Sequence, residues 1–203
     1  MQAKSKARGK EVRVSNGNVE VRAAVEGEKR TIGGYAIKYA QQSQPIRDRW
    51  GDRFVEEFSA GAFDETLLTR TQKSLWNHNI ELPLGSVKAG TLRVYSDTVG
   101  LGFDNDLPSS SWGNDAYESI SRGDVDGVSF GFRCLEDKWS KINIGEEEIY
   151  KRTVIKAELY EISPCTFPAY ESSEVNCRSL EDFKEEEKNT HELRRKLIIE
   201  TLF

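Results

Sequence analysis

Three side chains able to act in concert stand far apart in the chain: His78, Ser129 and Glu161. Ser129 interrupts the apolar run DGVSFGFRCLED at 126–137. Strand alternation there puts Val128, Phe130, Phe132 and Cys134 on one face and Ser129, Gly131 and Arg133 on the other. A serine hydroxyl is a poor nucleophile until a base takes its proton, and that base must be oriented and charge-stabilised by a third group. His78, in SLWNHNIELPLG, is the candidate base, sharing a strand face with Trp76 and Ile80. The alternative there is a half-buried, hydrogen-bonded core histidine. In VIKAELYEISPCTFPAY, alternation groups Ile155, Ala157, Leu159, Glu161 and Ser163 against Lys156, Glu158 and Tyr160. An ionised glutamate among apolar neighbours is costly without a partner. A histidine would serve Glu161, and so would any Arg or Lys. Triads assemble in space, so wide separation along the chain is no obstacle.

Competing chemistry is thin. His191 sits in THELRR, which lacks the second histidine of a zinc-binding HExxH helix, and reads as a surface residue. There is no GxSxG elbow, phosphate-binding loop or metal-ligand spacing, so no cofactor or metal is expected. Gly131, beside the serine on its face, leaves room for a substrate backbone. Arg133 reads as an oxyanion donor or as an ordinary surface arginine.

These side chains need a scaffold, and 203 residues suffice for one domain with a real core plus appendages. The hydrophobic fraction of 37% is low and the charged fraction of 31% high, so part of the chain should be solvated or extended. A net charge of −5 makes no case for nucleic-acid binding, and no apolar stretch is long enough to span a membrane. Three cysteines (134, 165 and 177) with no CxxC pair fit a reducing cytosol. Residues 1–10, MQAKSKARGK, read as a flexible basic arm.

EVRVSNGNVEVRAAV at 11–25 alternates around Asn16-Gly17, which predicts a hairpin, and KRTIGGYAIKYA continues as a strand. A helix is expected over about 62–69 and another over about 112–122, the second capped by Ser and Asn and stopped by Gly123. SLWNHN and GTLRVYSDTVGLGFDNDL read as strands, the latter a hairpin. Two more strands are expected at 125–136 and 148–163, joined by the polar DKWSKINIGEEE. Many short strands with few helices predict an antiparallel barrel or closed sandwich over 11–170. From about Tyr170 strand alternation stops, and Leu180, Phe183, Leu193, Leu197 and Ile198 recur at helical spacing among charges. Residues 171–203 are therefore expected to form a helical charged tail.

Several segments together resemble the caudovirus prohead serine proteases, the capsid maturation proteases of tailed phages. They are GYAIKY, EEFSAGAFDETL, LWNHN, LGSVKAGTLRVYSDTVGLGFDNDLP, ISRGDVDGVSFGFR and AELYEISPCTFPAY, in this order between positions 34 and 170. The resemblance implies an assemblin-type fold, a mostly antiparallel barrel flanked by helices. It also implies a serine endopeptidase with His78 as base, from the asparagine–histidine pair, and Ser129 as nucleophile, from SFGF. Assemblins use a second histidine as third member. This body has none, so Glu161 in YEIS takes the role, with Glu158 as the fallback. The implied partners are the major capsid protein and its scaffolding region, with self-association and self-cleavage, inside an assembling procapsid in the host cytoplasm. The alternative is a catalytically inactive assembly or scaffold-binding factor of the same fold.

Overall fold

In the computed structural model, residues 9–22, 30–48, 51–166 and 178–201 are described, without the side chains of 14–22 and 196–201. The basic arm up to residue 8 and Cys177 lie outside them. The elements in chain order are β1 (Glu11–Arg22), β2 (Thr31–Lys38), β3 (Ile46–Arg47), β4 (Arg53–Phe58), α1 (Asp64–Thr69), β5 (Lys73–Trp76) and β6 (Asn79–Ser86). They continue with β7 (Leu92–Ser96), β8 (Gly100–Asp106), α2 (Ser111–Ser121), β9 (Gly127–Ile144), β10 (Glu147–Cys165) and α3 (Arg178–Thr201). The chain is mainly β with a few helices, as its short alternating segments require.

The strands form one sheet in the order β3-β4-β10-β9-β1-β2-β8-β7, with β5 paired to β10 and β6 to β5. Two pairings, β10 with β4 and β10 with β5, are parallel. Among the described strands no pairing closes the sheet into a barrel, and the arrangement is not wholly antiparallel. The β5–β6 branch nevertheless meets β8 through side chains. Buried Asn105 on β8 donates to Ser74 Oγ on β5 at 3.3 Å, and a Cβ on Gly85 of β6 would fall 1.8 Å from Asn105 Oδ1.

Two local expectations change. Asn16-Gly17 does not turn a hairpin. It lies in a register shift of β1, whose first half pairs with β9 and whose second half pairs with β2. The polar stretch after Glu136 is not a joiner, because β9 and β10 run on as a long ribbon to a turn at Gly145, where φ is +64°. Along its β9 strand no residue from Leu135 to Ile144 is buried, so the apolar alternation that marks a core strand is missing there, which hid it. The second helix begins at Ser110, whose side chain accepts from Gly113 N, and gives way at Gly123, where φ is +79°.

The core lies under the Val128–Cys134 face of β9. Phe130 and Phe132 pack with Phe58 and Phe63 at centroid separations of 5.3–6.4 Å, and Val128, Leu159 and Ile162 are fully buried beside them. Such an aromatic knot holds a strand rigidly. A buried ionic network ties β1, β4, β9 and β10 together. Arg13 Nε donates to Glu56 at 2.7 Å, and Arg152 donates to Glu56 at 2.8 Å, Glu11 at 2.7 Å and Asp137 at 2.8 Å. The start of α3 docks on this body, with Leu180 buried against Phe54, Phe183 edge-on to Tyr150, and Lys184 on Asp52. Its residues 188–195 are exposed.

Candidate active site

Ser129 occupies the face of β9 opposite the aromatic knot, as alternation requires, with Phe130 and Phe132 fixing its backbone. Its neighbour across the antiparallel pairing is Ser163 on β10. Glu161 reaches the same face by a different route from the one alternation suggests. Leu159 pairs with Phe132 and Glu161 with Gly131, so β10 carries one extra residue, Tyr160, where β9 carries none. This bulge reverses the strand's phase. Leu159 points into the core; Glu161 and Ser163 turn to the serine's face, and Ile162 returns to the core.

His78 is not on a strand. Trp76 pairs with Asn79, leaving Asn77 and His78 as a two-residue turn with φ of +49° and +59°. Both values suit the twist of a tight hairpin. Asn tolerates them; a histidine there is strained, a condition that clusters at functional sites. Ile80, expected on the same face, is 83% exposed. The turn is clamped to the end of β10. Asn77 N donates to Pro164 O at 3.1 Å, Thr166 N donates to Asn77 Oδ1 at 3.0 Å, and Asn77 Nδ2 donates to Thr166 Oγ1 at 3.4 Å. The strand that carries the carboxylate thus also holds the histidine.

The three side chains meet. His78 Nε2 lies 2.7 Å from Ser129 Oγ, and His78 Nδ1 lies 2.8 Å from Glu161 Oε1. With the Nδ1 proton donated to the carboxylate, Nε2 is free to accept from the serine. The serine proton has a second acceptor, Arg13 O, at 2.9 Å. One proton cannot serve both, so the hydroxyl is competent only when directed at Nε2. Ser129 is itself fully buried.

Glu161 is held from two more sides: Lys10 Nζ lies 3.2 Å from Oε1, and Ser163 Oγ donates to Oε2 at 2.6 Å. Burial works to raise its pKa, but the hydrogen bonds from His78 and Ser163 and the charges of His78 and Lys10 outweigh it, leaving the carboxyl below its usual range. Burial, then the Glu161 charge, pushes the neighbouring Cys165 thiol up to about 11, so it stays neutral at ordinary pH. The space over Gly131 is not left for a substrate backbone, because Glu161 Oε1 and Lys10 Cε fill it, each 2.4 Å from where a Cβ would stand.

Other expected residues fall elsewhere. Glu158 forms ion pairs with Arg133 at 2.7 Å and Arg70 at 3.2 Å and accepts from Tyr160. Arg133 is committed to it. His191 is exposed on α3. Ser163, Lys10, Asn77 and the Arg13 carbonyl were not singled out by their residue types. Two of them carried a signal: Ser163, two residues beyond Glu161 on the same expected strand face, and Asn77, the partner of His78 in the asparagine–histidine pair. Among the described residues no group of three or more His, Cys, Asp and Glu side chains is placed to hold a metal ion.

The profile of the caudovirus prohead serine protease family matches residues 17–186. The chain is similar to the Prohead protease of Enterobacteria phage HK97, with 31% identity over 160 residues. That match covers 77% of this chain and 63% of the relative, less than two thirds of its length. No solved structure matches the chain. The matched span contains the turn with His78, the strand with Ser129 and the bulged strand with Glu161, and over that span the chain belongs to the caudovirus prohead serine protease family.

Proposed function

We propose that this chain is a serine endopeptidase of procapsid maturation. It cuts scaffold protein, or the scaffolding region of the major capsid protein, and itself, inside the assembling procapsid in the host cytoplasm. The observation that carries the reading is the unbroken line from Ser129 Oγ through both ring nitrogens of His78 to Glu161, at 2.7 and 2.8 Å. Both separations lie within ordinary reach for a nucleophile–base–orienter set.

In this reading Ser129 Oγ passes its proton to His78 Nε2 and bonds to the scissile carbonyl carbon. Glu161 stabilises the imidazolium that forms, without itself taking the proton. The peptide C–N bond then breaks as His78 gives its proton to the leaving amine. A water molecule repeats the sequence on the acyl-enzyme, its proton again going to His78, and Ser129 is restored. Glu158 has no part in it.

The finer reading of the fold, an assemblin-type barrel, belongs to the same proposal. Its support is the approach of the β5–β6 branch to β8 through Asn105, Ser74 and Gly85. The division into a basic arm (1–10), a protease domain (11–170) and a removable helical tail (171–203) belongs to it too.

Co-expression with the major capsid protein tests the reading. Ser129→Ala and His78→Ala are each expected to abolish processing while the protein stays folded, since members of such a set act as a unit. Processing by Ser129→Ala at the wild-type rate would refute it and leave the assembly-factor alternative.

A further inference from the structure

We propose that Ser163 is a positioning residue for the Glu161 carboxylate, extending the line to Ser129–His78–Glu161–Ser163. This rests on the protease reading and deepens it.

A glutamate carboxylate follows several rotatable bonds, so the backbone of β10 does not by itself aim Oε1 at His78. Oε1 also has two claimants, His78 Nδ1 at 2.8 Å and Lys10 Nζ at 3.2 Å. The Lys10 side chain is 47% exposed, so an unrestrained carboxylate has a cation and water to turn towards. The restraint is on the other oxygen. Ser163 donates to Oε2 at 2.6 Å, within the range of a charge-assisted O–H···O bond.

Ser163 is well placed for this task. It is fully buried, and it lies directly across from Ser129 in the β9–β10 register. The pairing that carries the nucleophile therefore also aims the hydroxyl that steadies the carboxylate. With Oε2 held, the carboxylate plane cannot rotate, and Oε1 keeps its lone pair on Nδ1. Without that bond Oε2 would be a buried acceptor lacking its donor, and the carboxylate would gain by swinging out, away from His78. The phase reversal at Tyr160 serves both residues, because it turns Glu161 and Ser163 to this face together.

If Ser163 were merely one more satisfied buried hydroxyl, its loss would change stability and nothing at His78. Ser163→Ala and Ser163→Thr are compared with wild type and Ser129→Ala in the full chain. One readout is the rate at which a small fluorophosphonate labels Ser129, Oγ bonding to phosphorus as fluoride leaves and the proton passes to His78. The other is the far-downfield proton resonance of His78 Nδ1–H in histidine-labelled protein, assigned with His191→Gln.

Ser163→Ala is expected to remain folded, to label about tenfold to a hundredfold more slowly, and to shift or broaden the resonance. Ser163→Thr, which keeps the hydroxyl, should recover both. Wild-type labelling with an unmoved resonance in Ser163→Ala overturns the proposal. So does equal loss in Ser163→Ala and Ser163→Thr, which would point to packing. If wild type takes no Ser129-dependent label, the protease reading fails, while the resonance still decides whether Ser163 governs the His78–Glu161 bond.

Discussion

On the protease reading, Gly131→Ala should silence Ser129 while sparing the fold. Gly131 has no left-handed φ, so the substitution is decided by space alone. Its new Cβ would lie 2.4 Å from Glu161 Oε1 and 2.4 Å from Lys10 Cε. Both are about 1 Å inside ordinary contact distance. Lys10 is the end of a half-exposed, flexible side chain and moves cheaply. Oε1 cannot retreat about 1 Å without stretching its bond to His78 beyond hydrogen-bond length. The present length is 2.8 Å. Disabling the third member of such a set costs about 10⁴-fold in rate, or roughly 5 kcal/mol of transition-state stabilisation. Overpacking costs only about 1–3 kcal/mol of stability. The expected outcome is a melting temperature lowered by a few degrees with fluorophosphonate labelling nearly abolished, as in Glu161→Gln measured alongside. A folded Gly131→Ala that labels at the wild-type rate would show that the carboxylate does not work from this position.

Other outcomes follow from the same contacts. Glu161→Gln should lose orders of magnitude in processing rate, because a neutral amide cannot stabilise the imidazolium; Glu158→Gln should retain processing, and equal small losses would leave a dyad or another third member. Because the Glu161 carboxyl is depressed in the folded state, its stability contribution is present above the usual carboxyl range and lost as pH falls through the lowered value. Thermal melts along an acid titration should therefore show a flatter acid limb for Glu161→Gln than for wild type. Arg152→Ala removes one of the two buried guanidiniums that neutralise Glu11 and Glu56, and a donor to Asp137, leaving Arg13 to serve both glutamates; a loss of about 3–5 kcal/mol is expected, read as a melting temperature lowered on the order of 10 °C. Self-cleavage is expected between Glu171 and Thr190; an intact mass for wild type that matches Ser129→Ala, under conditions where capsid protein is processed, would mean the tail belongs to the fold.

What could be read from residue types was what repeats with period two. Val128, Phe130, Phe132 and Cys134 declare a core face because burial on one side forces alternation, and Ser129 follows by exclusion. Glu161 was found by its conflict with apolar neighbours, yet the conflict is resolved by geometry that leaves no mark. Nothing in LYE announces a bulge, since the extra residue is an ordinary strand former. The His78 turn was hidden because Asn-His lacks the glycine that usually marks such turns, while Asn16-Gly17, which has one, lies within a continuing strand. Closure of the sheet could not be read, because strand count carries no information about which edges pair. Arg13, Glu56 and Arg152 carry no mark among the many charges of the sequence; only the fold reveals that they neutralise one another in the interior.

The extra residue at Tyr160 makes the site a matter of odd and even. Along an unbroken strand, residues separated by an even number of positions share a fate, and Leu159 and Glu161 would both be buried in the aromatic knot. Within Ala157–Cys165 one surplus residue separates two segments of opposite parity, one facing the core and the other the candidate triad. Removing a single residue there, or adding a second, would put a carboxylate among phenylalanines and lay Ile162 against the serine. Length changes in this strand can therefore preserve the chemistry only in pairs. A comparison of chain lengths between Leu159 and Cys165 bears on competence as directly as the identity of any side chain within that stretch.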